Sequence, residues 1–240
     1  VEITDFVTGQ KGYIPLAGPA NKQGRIAADN LAGRPSAYRG TQGSSVLKLF
    51  DLTAASTGLN EKQARAAGVA YDKVVTYSAS HASYYPGAHN ISIKTLFDPD
   101  SGRILGAQLV GFEGVDKRCD VLATAIHAGL TGQDLTELEL CYAPPYGSAK
   151  DPVNMAGYVI ENVRAGLVEQ HHWDAVAELP ADGSVILLDV RTPGEVRKQG
   201  LLRSDALHIP LDELRGRLGE LDKGKKIYVN CYSGLRSYLA

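Results

Sequence analysis

The sequence is poor in cysteine and has no long apolar run. Only three of its 240 residues are cysteine, at Cys119, Cys141 and Cys231, and they are too few and too scattered for a disulfide framework. The sequence contains no Cys-x-x-Cys pair and no cluster of metal ligands, so we expect no metal site. No stretch is apolar enough to span a bilayer, and the net charge of -2 gives no reason to expect nucleic acid or a membrane as a partner.

The remaining composition is that of a soluble globular protein. The apolar fraction is 44% and the charged fraction is 22%. A length of 240 residues suggests one large domain or two small ones. Free thiols fit a reducing, cytoplasmic setting. The chain opens on Val1 rather than on methionine, so we expect that sequence is missing at this end.

The stretch from Ile227 to Ser237 carries the strongest chemical signal. A short β-prone run ends just before Cys231, and a helix start follows it. A strand that turns sharply into a helix aims backbone N–H groups at one point, and this setting stabilises a thiolate nucleophile. Gly234 permits the backbone angles of such a cradle, and Arg236 adds a fixed positive charge. A buried cysteine at a strand end is the ordinary alternative, but the Cys-x-x-Gly-x-Arg-Ser spacing favours a reactive site.

This loop resembles the active-site loop of rhodanese domains, where the matching cysteine carries sulfane sulfur as a persulfide. The resemblance implies that Cys231 and Arg236 are catalytic. It also implies that the loop holds an anionic substrate through Tyr232, Ser233, Gly234 and Leu235.

Upstream segments support this resemblance. Val185–Arg191 resembles the first core strand with its Asp-x-Arg end, and residues 208–214 resemble the Ile-Pro segment before the next helix. The usual Gly-His-Ile-x-Gly-Ala run is replaced by residues 199–206. Because the chain stops one turn into the helix that follows Cys231, we expect a truncated α/β rhodanese-like domain over residues 169–240.

Near the start of the chain, an Ala-rich helix is predicted from Ala20 to Leu31, with a stop at Gly33. On physical grounds alone this is an ordinary packed helix. Residues 16–25 resemble the last flavin-contacting helix of the pyridine nucleotide-disulfide oxidoreductases. The resemblance makes residues 1–37 the tail of an FAD-binding domain. It implies that three residues approach the flavin, namely Leu16, Ala17 and Asn21.

No Gly-x-Gly-x-x-Gly fingerprint occurs in the sequence. We therefore expect the sites that hold FAD and NAD(P)H to lie upstream of Val1. This fragment is not expected to hold FAD by itself.

Residues 38–168 predict an α+β domain, with helices on one antiparallel sheet. A polar linker over 38–42 is followed by alternating strand and helix patterns. The predicted strands are 45–53, 73–78, 91–97 and 104–111, with a turn at 98–102. The predicted helices are 60–67, 115–128 and 154–164, with a short amphipathic segment at 135–140.

This stretch resembles the dimerisation domain of the same oxidoreductases, which implies a homodimer. Glutathione-reductase-like members carry a His…Glu acid–base pair in the segment that corresponds to residues 141–156. Here the segment has no histidine and Tyr142 stands in the region. That departure resembles the coenzyme A-disulfide reductases and their NADH oxidase and persulfide reductase relatives.

The resemblance implies that Tyr142, together with Tyr84, reaches across the dimer to the partner's substrate pocket. A phenol there can donate to a developing thiolate or accept from a thiol. The alternatives are a packing tyrosine at 142 and a surface aromatic at 84. Tyr85 and Tyr146 are close enough in sequence to be confused with them.

Other polar residues give weaker signals. Lys117 and Arg118 could bind the phosphates of coenzyme A, but a solvated helix start is the simpler interpretation. Cys119 and Cys141 are predicted to be small buried apolar groups. The adjacent His171 and His172 are interpreted as a linker and not as metal ligands.

Together the resemblances predict the C-terminal part of a coenzyme A-disulfide or persulfide reductase fused to a rhodanese domain. Such an enzyme would use FAD and NAD(P)H to reduce coenzyme A disulfide, a persulfide or a polysulfide, and Cys231 would transfer sulfane sulfur. Two alternatives stay open. One is an NADH oxidase or peroxidase with an accessory rhodanese, and the other is a non-reducing dimerisation and sulfur-binding fragment.

Overall fold

The computed structural model describes residues 2–240, which divide into two compact units. The first unit ends at Ala165, and the second runs from Gly166 to Ala240. None of the helices in residues 2–240 combines the length and the apolar character that a bilayer span needs.

The first unit is built on a five-stranded antiparallel sheet. Its elements are β1 (Ile3–Thr4), β2 (Lys11–Gly12), α1 (Ala17–Leu31), β3 (Ser45–Leu49), β4 (Leu52–Gly58), α2 (Glu61–Ala67), β5 (Asp72–Ala79), β6 (Asn90–Phe97), β7 (Ile104–Gly111), α3 (Val115–Ala128), α4 (Gly132–Glu137) and α5 (Pro152–Arg164). The strand order is β3-β4-β7-β6-β5, with β1 and β2 as a separate pair. This arrangement confirms the predicted α+β class.

One predicted strand is wrong. Residues 45–53 were expected to form a single strand, but β3 and β4 are two strands of a hairpin in which Leu49 pairs with Leu52. Phe50 takes the turn conformation, with a φ of 52°. Tight hairpin turns usually carry Gly, Asn or Asp at positive φ, so a phenylalanine there gives no turn signal in the sequence.

Helix ends follow local capping chemistry. Asn60 and Gln63 form the capping box of α2, and Gly68 ends it at a φ of 67°, as predicted. α1 starts at Ala17, earlier than predicted, because Pro19 lies in the first turn, where its missing N–H is not needed. α5 starts at Pro152 for the same reason, with Asp151 as its cap.

The core of the first unit lies between the sheet and the helices α3, α4 and α5. Its members are apolar residues that alternate along the strands or recur at helical spacing. They include Val74, Ile91, Ile93, Leu109, Val115, Leu122, Leu135 and Ile160, each fully buried.

The second unit is an α/β fold around a three-stranded parallel sheet. Its elements are β8 (Val185–Asp189), α6 (Pro193–Gln199), β9 (Leu207–His208), α7 (Leu211–Arg217), β10 (Lys226–Asn230) and α8 (Leu235–Leu239), with a 3₁₀ turn at Trp173–Glu178. The strand order is β10-β8-β9. Its buried core consists of Leu188, Val190, Ile209 and Leu214, with Cys231 packed against it. The α/β class predicted for this part is confirmed.

Candidate active site

Cys231 lies directly after β10, at the carboxyl end of a parallel strand, and the loop that follows folds back over its sulfur. Gly234 has a φ of 95°, a conformation that residues with a Cβ rarely adopt. This geometry allows the Gly234 N–H to donate to Cys231 Sγ at 3.1 Å. Ser237 in α8 places its Oγ 3.5 Å from the same sulfur. The loop therefore surrounds one sulfur atom with hydrogen-bond donors.

These donors lower the pKa of the Cys231 thiol. Burial acts to raise that pKa, but hydrogen bonds from the Ser237 hydroxyl and from the backbone N–H groups of Ser237, Ser233 and Gly234 outweigh it. The net pKa lies below the ordinary value for a cysteine. Because the thiolate is the reactive form of a cysteine, this arrangement favours the nucleophilic state of Cys231.

Ser237 has two partners for a single hydroxyl hydrogen. Its Oγ lies 2.8 Å from the carbonyl oxygen of Gly234 as well as 3.5 Å from Cys231 Sγ. When the thiol is protonated, its S–H can donate to Oγ while the hydroxyl donates to the carbonyl. When the thiol is ionised, the hydroxyl hydrogen can turn to the sulfur. Ser237 can thus serve both protonation states.

Arg236 is paired with an acidic residue that sequence reasoning missed. Its Nη1 and Nη2 donate to the two carboxylate oxygens of Glu195, each at 2.7 Å. This bidentate bond makes the largest contribution, and the hydrogen bonds from Thr192 the next largest, to holding the pKa of Glu195 well below its usual range. The hydrogen bond to Glu195 makes the largest contribution to raising the pKa of Arg236, and the charge of Cys231 also raises it. The cation beside the thiolate is therefore shared between two anions.

Glu195 gave only a structural signal in the sequence. Thr192 and Glu195 form the capping box of α6, which is an ordinary structural role for a threonine and a glutamate three residues apart at a helix start. Its second role depends on topology, because β8 and β10 are parallel neighbours and their carboxyl ends meet at one edge of the sheet. The segment after β8 is therefore close to the segment after β10.

A cavity of about 350 Å³ opens beside Cys231. Its lining residues are Arg191, Gln199, Gly200, Leu201, Leu202, Asn230 and Tyr232. The run that departs from the rhodanese pattern thus forms one wall of the cavity. Asn230 Oδ1 is buried there without a hydrogen-bond partner in residues 2–240.

The Arg191 guanidinium in this wall is fully engaged. It donates to the buried Asp189 carboxylate, with Nη2 to Oδ2 at 2.6 Å, and to Gln199 Oε1 and the Gly200 carbonyl. Its hydrogen bond to Asp189 raises its pKa. Arg191 therefore fixes the wall of the cavity.

In the first unit, the structure brings together the two predicted tyrosines. The hydroxyls of Tyr84 and Tyr142 lie 3.4 Å apart although 58 residues separate them. Their side chains are exposed, at 75% and 49%. The hydrogen bond that Tyr84 shares with Tyr142 raises the pKa of Tyr84. Tyr85 instead packs edge-on against His81, and Tyr146 is exposed nearby in the chain.

The start of α3 differs from the expected solvated surface. Arg118 is only 1% exposed and forms an ion pair with Asp151 at 2.9 Å. The expectation of a solvated helix start is therefore wrong for Arg118, and its guanidinium nitrogens already have protein partners. Lys117 is partly exposed.

Two of the three thiols lie outside the Cys231 loop. Cys119 is buried, as predicted, and burial raises its pKa to about 11. Cys141 is exposed, so the prediction that it is buried is wrong. Within residues 2–240, no three His, Cys, Asp or Glu side chains converge as metal ligands do.

The three predicted flavin contacts lie together at the start of α1. Leu16 is its N-cap and makes no side-chain capping bond, and Asn21 Nδ2 donates to the Ala17 carbonyl at 2.9 Å. Leu16 and Ala17 also line a cavity of about 260 Å³. No acidic residue stands in the first turn. An uncapped helix start of this kind fits the electron-rich edge of a flavin ring.

Comparisons with known proteins agree with both units. Residues 44–152 match the pyridine nucleotide-disulphide oxidoreductase dimerisation domain. Residues 172–240 match the rhodanese-like domain. The chain thus combines a segment that matches the dimerisation domain of the pyridine nucleotide-disulphide oxidoreductases with one that matches the rhodanese-like domain. These matches confirm the two resemblances predicted from the sequence.

Individual relatives point the same way. The coenzyme A disulfide reductase of Staphylococcus haemolyticus is 42% identical over 146 residues, which is 60% of this chain and 33% of that protein. The structure of reduced Bacillus anthracis CoADR-RHD is 50% identical, with a TM-score of 0.94, over 100% of this chain and 42% of that chain. The structure of a NAD-dependent persulfide reductase from A. fulgidus is 41% identical, with a TM-score of 0.88, over the same shares. This chain thus spans about a third of the length of the curated relative.

Proposed function

We propose that this chain works in a flavin- and NAD(P)H-dependent enzyme that reduces coenzyme A disulfide, a persulfide or a polysulfide, with Cys231 as the carrier of sulfane sulfur. The observation that carries the proposal is the Cys231 loop, whose N–H and hydroxyl donors lower the pKa of the thiol. The names of the relatives supply the substrate class.

The transfer step follows from the chemistry of the thiolate. Cys231 Sγ attacks the sulfane sulfur of a donor persulfide R–S–SH, and a new S–S bond forms on the cysteine as the S–S bond of the donor breaks. The proton of the transferred S–H group moves to the departing sulfur, so the donor leaves as the thiol R–SH and Cys231 becomes a persulfide anion. The same loop donors and Arg236 then stabilise that anion. No external oxidant is needed, because the sulfane sulfur is passed on at the same oxidation level.

The tyrosine pair serves the reductive half of the proposal. Tyr142 and Tyr84 can donate a hydrogen bond to the thiolate of coenzyme A as it leaves a mixed disulfide. FAD, when bound, supplies the electron pair that NAD(P)H delivers. Leu16, Ala17 and Asn21 would contact its ring at the start of α1. The dimerisation domain favours a homodimer, in which each tyrosine pair would serve the partner's substrate.

Replacing Cys231 in the full enzyme tests whether sulfur transfer and flavin reduction depend on different residues. We expect Cys231→Ser to abolish sulfur transfer and to leave flavin reduction by NADH intact. Cys141→Ser removes an exposed thiol that we do not place in the site, so it should change neither activity. Loss of both activities in Cys231→Ser contradicts the proposal. Rapid oxygen consumption without a sulfur substrate would instead favour an NADH oxidase.

A further inference from the structure

We infer that Arg118 is a positioning residue that fixes the two segments carrying Tyr84 and Tyr142 so that their hydroxyls meet. The role of the tyrosines in reduction rests on the proposed function, but the geometry of the pair does not. The resemblance to known families did not assign this role, and the sequence suggested a solvated helix start or a phosphate contact for this residue.

The contacts of Arg118 reach three segments of the chain. From α3, its Nε and Nη2 donate to Asp151 Oδ2 at 3.2 and 2.9 Å. Nη2 also donates to the carbonyl oxygen of Ser80 at 2.8 Å, and Nη1 donates to the carbonyl of Gly114 at 3.2 Å. The side chain is buried, and so are Ser80 and Asp151.

Two of these contacts lie at the ends of the segments that carry the tyrosines, which are residues 80–84 and residues 142–151 (the tyrosine segments). Ser80 follows β5 directly and precedes Tyr84 by four residues. Asp151 ends the segment that carries Tyr142, and it caps α5 by accepting from the Val153 N–H at 3.0 Å. A single guanidinium thereby joins the two tyrosine segments at Ser80 and Asp151.

The segments also touch each other where Arg118 lies. The Ala82 N–H donates to the Gly147 carbonyl at 2.8 Å. A Cβ built on Gly147 would lie 3.6 Å from Arg118 Nη2 and 3.8 Å from Asp151 Oδ2. The guanidinium therefore packs directly beneath the crossing point of the two segments.

A residue with only a packing role would be apolar at this position. Burying a charge costs several kcal/mol unless its partners are well placed, and the planar guanidinium satisfies three acceptors at fixed angles. An apolar replacement would fill the space but would leave the Asp151 carboxylate unpaired. Arg118 thus has the property that a positioning role requires, which is directional bonding to both segments.

Arg118→Lys keeps the positive charge at this position but removes the planar guanidinium. A lysine ammonium can still pair with Asp151, but as a single point charge on a longer, flexible stem it cannot hold Asp151 and the Ser80 carbonyl in the same fixed arrangement. Arg164→Lys is the matched control. Arg164 also bridges a carboxylate and a carbonyl, Glu161 at 3.2 Å and Asp100 at 3.0 Å, and contacts neither tyrosine segment.

The test is a pH titration of the chain with tyrosines labelled at Cζ, followed by NMR and assigned with Tyr84→Phe and Tyr142→Phe. In the parent and in Arg164→Lys, we expect the titration of Tyr84 to change when Tyr142 is replaced by phenylalanine. In Arg118→Lys, Tyr84 should titrate as an ordinary tyrosine, and Tyr142→Phe should have no further effect. An unchanged coupling between Tyr84 and Tyr142 in Arg118→Lys overturns the inference.

A second variant covers the case in which Arg118→Lys does not fold. Arg118→Gln combined with Asp151→Asn replaces the ion pair by two neutral amides, which leaves no buried charge unpaired. The glutamine is too short to reach Ser80, so the coupling should again be lost, and its retention would overturn the inference. In the full enzyme, Arg118→Lys should lower reduction of coenzyme A disulfide without further effect in a Tyr142→Phe background. If that enzyme does not reduce coenzyme A disulfide at all, the proposed function fails while the titration result stands.

Discussion

The Arg236–Glu195 ion pair beside Cys231 gives the sharpest prediction about how the thiolate is stabilised. Arg236→Met removes a cation and leaves the Glu195 carboxylate without its bidentate partner. Both changes disfavour the anionic sulfur. We therefore expect the pKa of Cys231 to rise.

The size of the effect follows from the exposure of the pair. A charge-assisted hydrogen bond contributes about 1.5–3 kcal/mol, and we take the lower end because the Arg236 side chain is 28% exposed and screened by solvent. A loss of about 1.4 kcal/mol raises the pKa by about one unit. Near neutral pH, the thiolate fraction and the rate of thiolate reactions should then fall about tenfold.

The assay is the pH dependence of alkylation by iodoacetamide in a Cys141→Ser background. Cys141 is exposed and Cys119 is buried, so Cys231 is the thiol that reacts in this background. The double variant Arg236→Met with Glu195→Gln also removes the unpaired carboxylate, so its pKa should lie between those of the parent and the single variant. An unchanged pKa in Arg236→Met refutes the reasoning, and identical single and double variants would show that Glu195 does not act on the sulfur.

Three further predictions concern the first unit. Tyr142→Phe should return the raised pKa of Tyr84 toward its ordinary value, as measured by NMR titration. In the full enzyme, the same change should slow coenzyme A disulfide reduction about a hundredfold. An unchanged Tyr84 titration would argue against the hydroxyl contact. Burial acts to raise the pKa of Glu61, but hydrogen bonds from Lys73 and Lys94 outweigh it and lower the pKa to about 2. This carboxylate therefore contributes stability above pH 4.5, and that stability is lost as the pH falls toward 2. Urea unfolding should show Glu61→Gln less stable at pH 7 by about 1–2 kcal/mol after screening, and a difference that persists at pH 2 would contradict this. Cys141 should react with iodoacetamide in the native chain, whereas Cys119 should react only after unfolding, because burial raises its pKa to about 11.

Local chemistry made much of the fold predictable. Asn60 and Gly68 bracket α2 with a capping box and a left-handed stop, and both signals lie within a few residues of the ends that they define. The pairing of β6 with β7 was similarly visible from the turn between Asp98 and Gly102. The hairpin at Phe50 was not, because its turn residue lacks the usual preference for positive φ.

Features that depend on distant contacts were harder to predict. Cys231 and Arg236 lie in one loop and could be found from spacing, but Glu195 joins them only because two parallel strands end side by side. Arg118 shows the same limit, since its charge suggested solvent while its partners Ser80 and Asp151 come from segments far along the chain. A sequence pattern shows the residue type but not the acceptors that make burial of a charge tolerable.

The central claim is that Cys231 holds sulfane sulfur as a persulfide in this loop. Incubation of the chain with coenzyme A persulfide, followed by intact-mass and peptide mass spectrometry, measures this directly. The account predicts that the peptide containing Cys231 gains the mass of one sulfur atom, that Cys231→Ser gains none, and that Cys141→Ser gains it as the parent does. A chain that stays unmodified at Cys231, or that carries the added sulfur equally on Cys141, would contradict the account.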